Sequence, residues 1–199
     1  VGSEMCIRDR LERGAIAMNY ADIKRCDVAN GLGVRTSLFV SGCTHHCKGC
    51  FNSETWDFHY GNPFTDAQID EIVENLKPSH IAGLTVLGGE PFEPQNQPDV
   101  LKTVKKVKEI YPKKDIWVYS GYLFDKDILD RMCKESDITK ELLNYIDVLV
   151  DGEFVEEKKN LKLVFRGSEN QRIIKVPESL EAGKIILWEH EYGKEEDNE

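Results

Sequence analysis

The sequence reads as an α/β protein, a partial, open α/β barrel of parallel strands. Three observations carry that reading. Short apolar runs alternate with amphipathic segments along most of the chain. The runs are apolar on both faces, as strands buried under helices must be. The 199 residues fall short of the roughly 250 that a full eight-fold barrel uses. Strand alternating with helix implies parallel pairing through right-handed crossovers.

Each element has its own local reason. Thr36–Ser41 (TSLFVS) is a β-rich apolar run ending at Gly42. Thr65 opens a helix, because Thr65 and Gln68 have capping-box spacing and Ile69, Ile72, Val73 and Leu76 share one face. Pro78 then disfavours continuation. Leu84–Leu87 is a buried strand stopped by Gly88 and Gly89. Pro98–Ile110 is a second amphipathic helix, with Val100, Val104, Val107 and Ile110 inward and Lys102, Lys105, Lys106 and Lys108 outward. Ile116–Tyr119 is the next strand, and Asp125–Cys133 the next helix, packing through Ile128, Leu129 and Met132. A short helix near Ile138–Asn144 leads into the strand Ile146–Val150. Residues 1–17 show neither period and read as a cloning scar, an upstream misread or a disordered arm, with Met18 as the start. The segment 189–199 carries six acids against Lys194 and reads as a solvated tail. One domain over residues 18–188 is the expectation.

Charge and composition narrow the function. Lysine and arginine number 26 and acids 36, a formal charge of −10. That balance argues against nonspecific nucleic-acid binding, which needs a basic surface to release phosphate counterions. No apolar run approaches the roughly 18–20 residues of a membrane helix. No secretory apolar core is visible near the start, so a reducing cytoplasm is the expected compartment. Six cysteines there, three within eight residues, point to metal or redox chemistry rather than disulfides.

The thiol cluster is Cys43, Cys47 and Cys50, spaced C-x3-C-x2-C, with Gly42 and Gly49 easing the bends. Three thiolates are one short of the usual four for an iron–sulfur cluster. A cluster so held keeps one iron open for a small chelating ligand. A structural zinc site that adds His45 or His46, and an ordinary electron-transfer cluster, fit the triad equally well. The second motif, Gly88-Gly89-Glu90-Pro91, also follows a strand. Paired glycines let a ligand approach the main chain, and a carboxylate at Glu90 suits a cationic amine. An ordinary strand-to-helix turn is the plain alternative. Both motifs fall after strands, where ligands of such folds bind.

Together, C-x3-C-x2-C and GGEP resemble the radical S-adenosylmethionine enzymes. The stretch NGLGVRTSLFVSGCTHHCKGCFNSETWDF, with VDGEF (Val150–Phe154) and RGSENQR (Arg166–Arg172), is similar more specifically to the glycyl-radical activators of anaerobic ribonucleoside-triphosphate reductase. The resemblance covers about Met18 to Trp188. It implies a partial barrel of the radical S-adenosylmethionine type. It implies Cys43, Cys47 and Cys50 as ligands of a [4Fe–4S] cluster whose open iron takes the amino and carboxylate groups of S-adenosylmethionine. Reductive cleavage would give a 5′-deoxyadenosyl radical, which takes hydrogen from a glycine of the large reductase subunit. Flavodoxin or ferredoxin is the implied electron donor.

By the same resemblance Gly88, Gly89 and Glu90 hold the cofactor's amino group, and Gly49, Cys50 and Phe51 line its adenine or methionine side. Ser120, Asp151 and Arg166 are weaker candidates for cofactor or partner contacts, each with an ordinary structural alternative. Asn30–Gly33 reads as a turn, and His45 and His46 as solvent-facing or behind the ligands. Cys26 and Cys133 read as ordinary small side chains. The same reaction on pyruvate formate-lyase is the sister reading, and a noncatalytic zinc or iron–sulfur protein is the reading from another class.

Overall fold

The computed structural model describes residues 18–189; residues 1–17 and all but the first residue of the expected tail lie outside the described residues. The chain runs β1 (Asn19–Asp27), β2 (Val34–Val40), β3 (Asn62–Pro63), α1 (Asp66–Leu76), β4 (Ile81–Gly88), α2 (Gln97–Ile110) and β5 (Asp115–Ser120). It continues with a helical segment α3 (Phe124–Met132 and Cys133–Glu135), α4 (Asp137–Leu143), β6 (Val148–Asp151), β7 (Arg172–Lys175) and α5 (Val176–Ala182). The seven strands form one sheet in the order β3-β1-β2-β4-β5-β6-β7. The sheet does not close.

The central four strands, β2, β4, β5 and β6, are parallel and lie side by side in the order in which the chain reaches them. Right-handed crossovers between successive neighbours all return over one face, so α1 to α4 pack on that side. Side chains alternate across the strands. Leu38, Val40, Leu84, Val86, Ile116, Val118 and Leu149 enter the main core with Ile72, Leu76, Val100, Val104, Val107 and Ile128. The alternate residues face the other way. There Trp117, Val148, Val150 and Ile173 form a smaller cluster, joined by Tyr119, Phe165 and Trp188. At the amino end of that face Arg35, fully buried, donates to Thr85 Oγ1 (2.7 Å) and the Leu84 carbonyl (2.9 Å). Its Nη1 pairs with Asp115 Oδ1 at 2.7 Å.

An all-parallel sheet is corrected by the structure: β1 runs antiparallel to β2, β3 to β1, and β7 to β6. These flanking strands gave no sequence signal for a physical reason. β1 is half-exposed, with Lys24, Arg25 and Cys26 on its surface, and β3 has two residues. In β7 only Ile173 and Ile174 are buried, between Arg172 and Lys175. Two smaller expectations also change. Ile110, at the last turn of α2, is 40% exposed instead of inward. Residues 124–132 wind as a π-helix, with Ile128 N–H donating to the Leu123 carbonyl five residues back (3.0 Å). The capping box is present: Thr65 Oγ1 accepts from Ala67 N–H, and Gln68 Oε1 accepts from Thr65 N–H at 3.0 Å.

Candidate metal and cofactor site

The site lies where β2 and β4 end. Beyond the strands the two chains stay joined: Gly89 N–H donates to the Val40 carbonyl (2.7 Å) and Glu90 N–H to the Gly42 carbonyl (2.8 Å). Close approach explains the glycines. A Cβ on Gly89 would lie 2.5 Å from the Gly42 carbonyl oxygen, and one on Gly42, at φ +98°, would lie 2.2 Å from the Phe58 ring. Asn96, fully buried, donates to the carbonyls of Ser41 (3.0 Å) and Glu90 (2.9 Å), tying both turns to the start of α2. Glu93 Oε1 accepts from Thr44 N–H at 3.0 Å and Thr44 Oγ1 at 2.5 Å.

Cys43, Cys47 and Cys50 line one cavity of about 130 Å³, with Gly88 and Gly89 on its wall and Tyr119, Ser120 and Gln171 beside them. Through Cys50, Leu87, Tyr119 and Phe154 it adjoins a groove of about 610 Å³ on the face of the sheet that the helices leave open. Among the described residues no set of three or more His, Cys, Asp and Glu side chains is gathered around a single ion. Cys43 is buried, and burial pushes its thiol up to about 12. Burial also raises Cys47, partly offset by the Phe154 N–H.

A family model described as a 4Fe-4S single cluster domain matches residues 29–174, a span that includes both turns. An anaerobic ribonucleoside-triphosphate reductase-activating protein of Escherichia coli (strain K12) is 43% identical over 156 residues, 77% of this chain and 96% of that protein. The protein of the same name from Haemophilus influenzae is 46% identical over 158 residues, 78% of this chain and 97% of that one. One from Enterobacteria phage T4 is 43% identical over 159 residues, 78% and 93%. This chain belongs to the anaerobic ribonucleoside-triphosphate reductase-activating protein family.

In this family member the anticipated residues are distributed unevenly around the cavity. Cys43, Cys47, Cys50, Gly88 and Gly89 line it. Phe51 lines the adjoining groove, 64% exposed, its ring 5.3 Å from Phe154 and beneath the Lys159 ammonium. Gly49 faces outward toward Glu156. Glu90 sits behind the wall, 1% exposed. Its Oε1 accepts from Phe92 N–H (2.8 Å) and Ser120 Oγ (2.9 Å), and its Oε2 from Gly121 N–H (2.7 Å). The cavity wall at this turn is therefore main chain, and the carboxylate braces it from within. Asp151 is likewise engaged, accepting from Phe124 N–H (2.8 Å) and Arg172 Nε (2.9 Å). Arg166 donates to the Gln171 carbonyl. Asn30 lies at the far end of the groove, in the β1–β2 connection.

Sequence reasoning missed the contacts that hold the thiol loop down. The segment after β6 crosses it. Phe154 N–H points at Cys47, Lys48 pairs with Glu156 (2.9 Å), and His45 Nδ1 lies 2.8 Å from Glu153 Oε1. The second imidazole nitrogen, Nε2, makes an ion-pair contact with Glu90 Oε2 at 3.2 Å. Burial lowers the His45 pKa, but the two carboxylates outweigh it and leave the ring pushed up to about 9. His46, at φ +50°, lies beside Trp56 with ring centroids 4.8 Å apart. Tyr119 presents a buried phenol with no protein partner among the described residues.

Proposed function

We propose that this protein reductively cleaves S-adenosylmethionine at a [4Fe–4S] cluster and generates a glycyl radical on the anaerobic ribonucleoside-triphosphate reductase. The observation that carries this is the single cavity lined by both the three thiols and the Gly88–Gly89 turn. The donor set fits: thiolates suit iron–sulfur clusters, and three of them leave one iron free. Tetrahedral zinc needs sulfurs about 3.8 Å apart around one ion; thiols ringing a cavity suit a larger, multinuclear group better. Bound there, the cluster and cofactor supply a one-electron reduction of the sulfonium and a carbon-centred oxidant able to take hydrogen from a glycine Cα.

The chain's own residues do the rest. Cys43, Cys47 and Cys50 would hold the cluster. Gly88 and Gly89 offer unhindered main chain to the cofactor's polar end, and Glu90 fixes that turn through its three hydrogen bonds. Phe51 and Phe154 flank the route into the groove, where the glycine-bearing segment of the large subunit would lie. The open sheet is then a partial barrel of the radical S-adenosylmethionine type, and residues 18–188 form its one domain. A cytoplasmic site and a flavodoxin or ferredoxin donor complete the reading; no helix among the described residues is long and apolar enough to cross a membrane.

The test is anaerobic. Iron and sulfide are reconstituted, the protein is reduced, and electron paramagnetic resonance is recorded with and without S-adenosylmethionine. A [4Fe–4S]⁺ signal that changes on cofactor addition, followed by a glycyl radical on the purified reductase, is the expected result. A radical formed on pyruvate formate-lyase alone would move the activity to the sister partner. Stoichiometric zinc with no cluster signal would refute the catalytic reading.

A further inference from the structure

We propose that His45 is a positioning residue that sets the spacing between the thiol loop and the Gly88–Glu90 turn. The inference rests on the cluster-and-cofactor reading above. His45 lies between two of the thiols in sequence, yet both ring nitrogens face carboxylates: Nδ1 hydrogen-bonds Glu153 (2.8 Å), and Nε2 makes an ion-pair contact, without hydrogen-bond geometry, with Glu90 (3.2 Å). The ring packs edge-on against Tyr122 at 4.4 Å. Its side chain is 9% exposed and the Glu90 carboxylate 1%, so the contact on that side is interior, while Glu153, 56% exposed, closes the clamp from the surface. Room for it is built in, since a Cβ on Gly121 would sit 2.6 Å from the imidazole. One ring thus joins three segments that are far apart in sequence: the thiol loop, the turn after β4 and the crossing segment after β6.

The consequence concerns ligand binding more than cluster assembly. Cys43 is pinned independently, by its N–H to the Trp56 carbonyl (3.2 Å) and by Gly42 N–H to the Thr55 carbonyl (2.8 Å). What His45 controls is the gap that a ligand must span between the thiols and the Gly88–Gly89 main chain. Removing its two polar contacts while keeping an aromatic ring widens or loosens that gap.

The experiment compares wild type, His45→Phe and His45→Gln, each reconstituted anaerobically. Iron and sulfide content, the reduced-cluster resonance with and without S-adenosylmethionine, and KM and kcat for cofactor cleavage are measured. Amide hydrogen exchange is followed on the metal-free proteins. His45→Phe is expected to bind iron and sulfide fully and to raise KM about tenfold, equivalent to about 1.4 kcal/mol, with kcat changed less than about twofold. His45→Gln recovers most of the loss. In the metal-free His45→Phe protein, amides of the thiol loop and of Gly89 and Glu90 exchange faster. Wild-type KM and exchange in His45→Phe would overturn the proposal. So would loss of the cluster in both variants, which would make His45 a ligand. Failure of the parent reading looks different: the wild-type cluster forms but its signal ignores S-adenosylmethionine, and the exchange comparison alone then decides the spacing.

Discussion

The five cysteines among the described residues divide by environment. Cys43→Ala, Cys47→Ala and Cys50→Ala are each expected to abolish S-adenosylmethionine cleavage and cluster incorporation, measured as product formed and iron bound. Cys26, exposed on β1, and Cys133, half-buried beside the main core, are expected to tolerate alanine with little loss of either. Glu90 is the opposite case, a charge whose work is internal. Truncation to alanine strands the buried Phe92 N–H and Ser120 hydroxyl and the half-buried Gly121 N–H. An unsatisfied buried polar group costs about 1–3 kcal/mol, so Glu90→Ala is expected to lose about 2–4 kcal/mol in chemical denaturation. The thiol spacing and the Gly88–Gly89 pair were legible because their chemistry is local. The orientation of Glu90 was not, because its partners Ser120 and Gly121 arrive from another strand. The same holds for His45, whose partner Glu153 is 108 residues away.

Helices and strands differ in how much of their cause is nearby. α1 was readable to its first residue because a capping box is a four-residue event. Thr65→Ala is expected to cost about 1 kcal/mol, read as a shift in denaturation midpoint at unchanged slope. The parallel strands were readable because burial on both faces leaves a continuous apolar run. β7 was not, since its place depends on Arg172, which pairs with Asp151 (on β6) and with Asp125 (2.8 Å). Asp151 is fully buried, so Arg172→Ala leaves an unpaired interior carboxylate and is expected to cost about 3–5 kcal/mol. The same arginine holds the Asp125 carboxyl below the ordinary carboxylate range. A carboxyl depressed on folding contributes stability above its unfolded pKa and loses it as pH falls through the folded value. Wild-type stability should therefore decline on acidification below about pH 4, and that decline should be shallower in Arg172→Ala.

At the level of the whole molecule, successive parallel strands and same-side crossovers place every layer of helix on one face. The strand–helix alternation predicted the parallel centre of the sheet but not which face the helices leave open, and the antiparallel additions at both ends carry too few buried apolar residues to announce themselves. A protein cut to residues 18–189 is expected to melt within a few degrees of the full chain and to keep cofactor cleavage. A well-folded but inactive truncation would show that residues outside this span take part in the chemistry.

The open face has a thermodynamic corollary. Where another α/β protein would set a second layer of helices, the described residues leave a groove floored by Phe39, Leu87 and Tyr119. Whatever fills the groove takes the place of that missing layer, so occupancy and folding share one free energy. A ligand at 100 times its dissociation constant adds about 2.7 kcal/mol to the native state. Melting temperature then becomes a titration curve, by which cofactor and docked peptide can be ranked without any turnover.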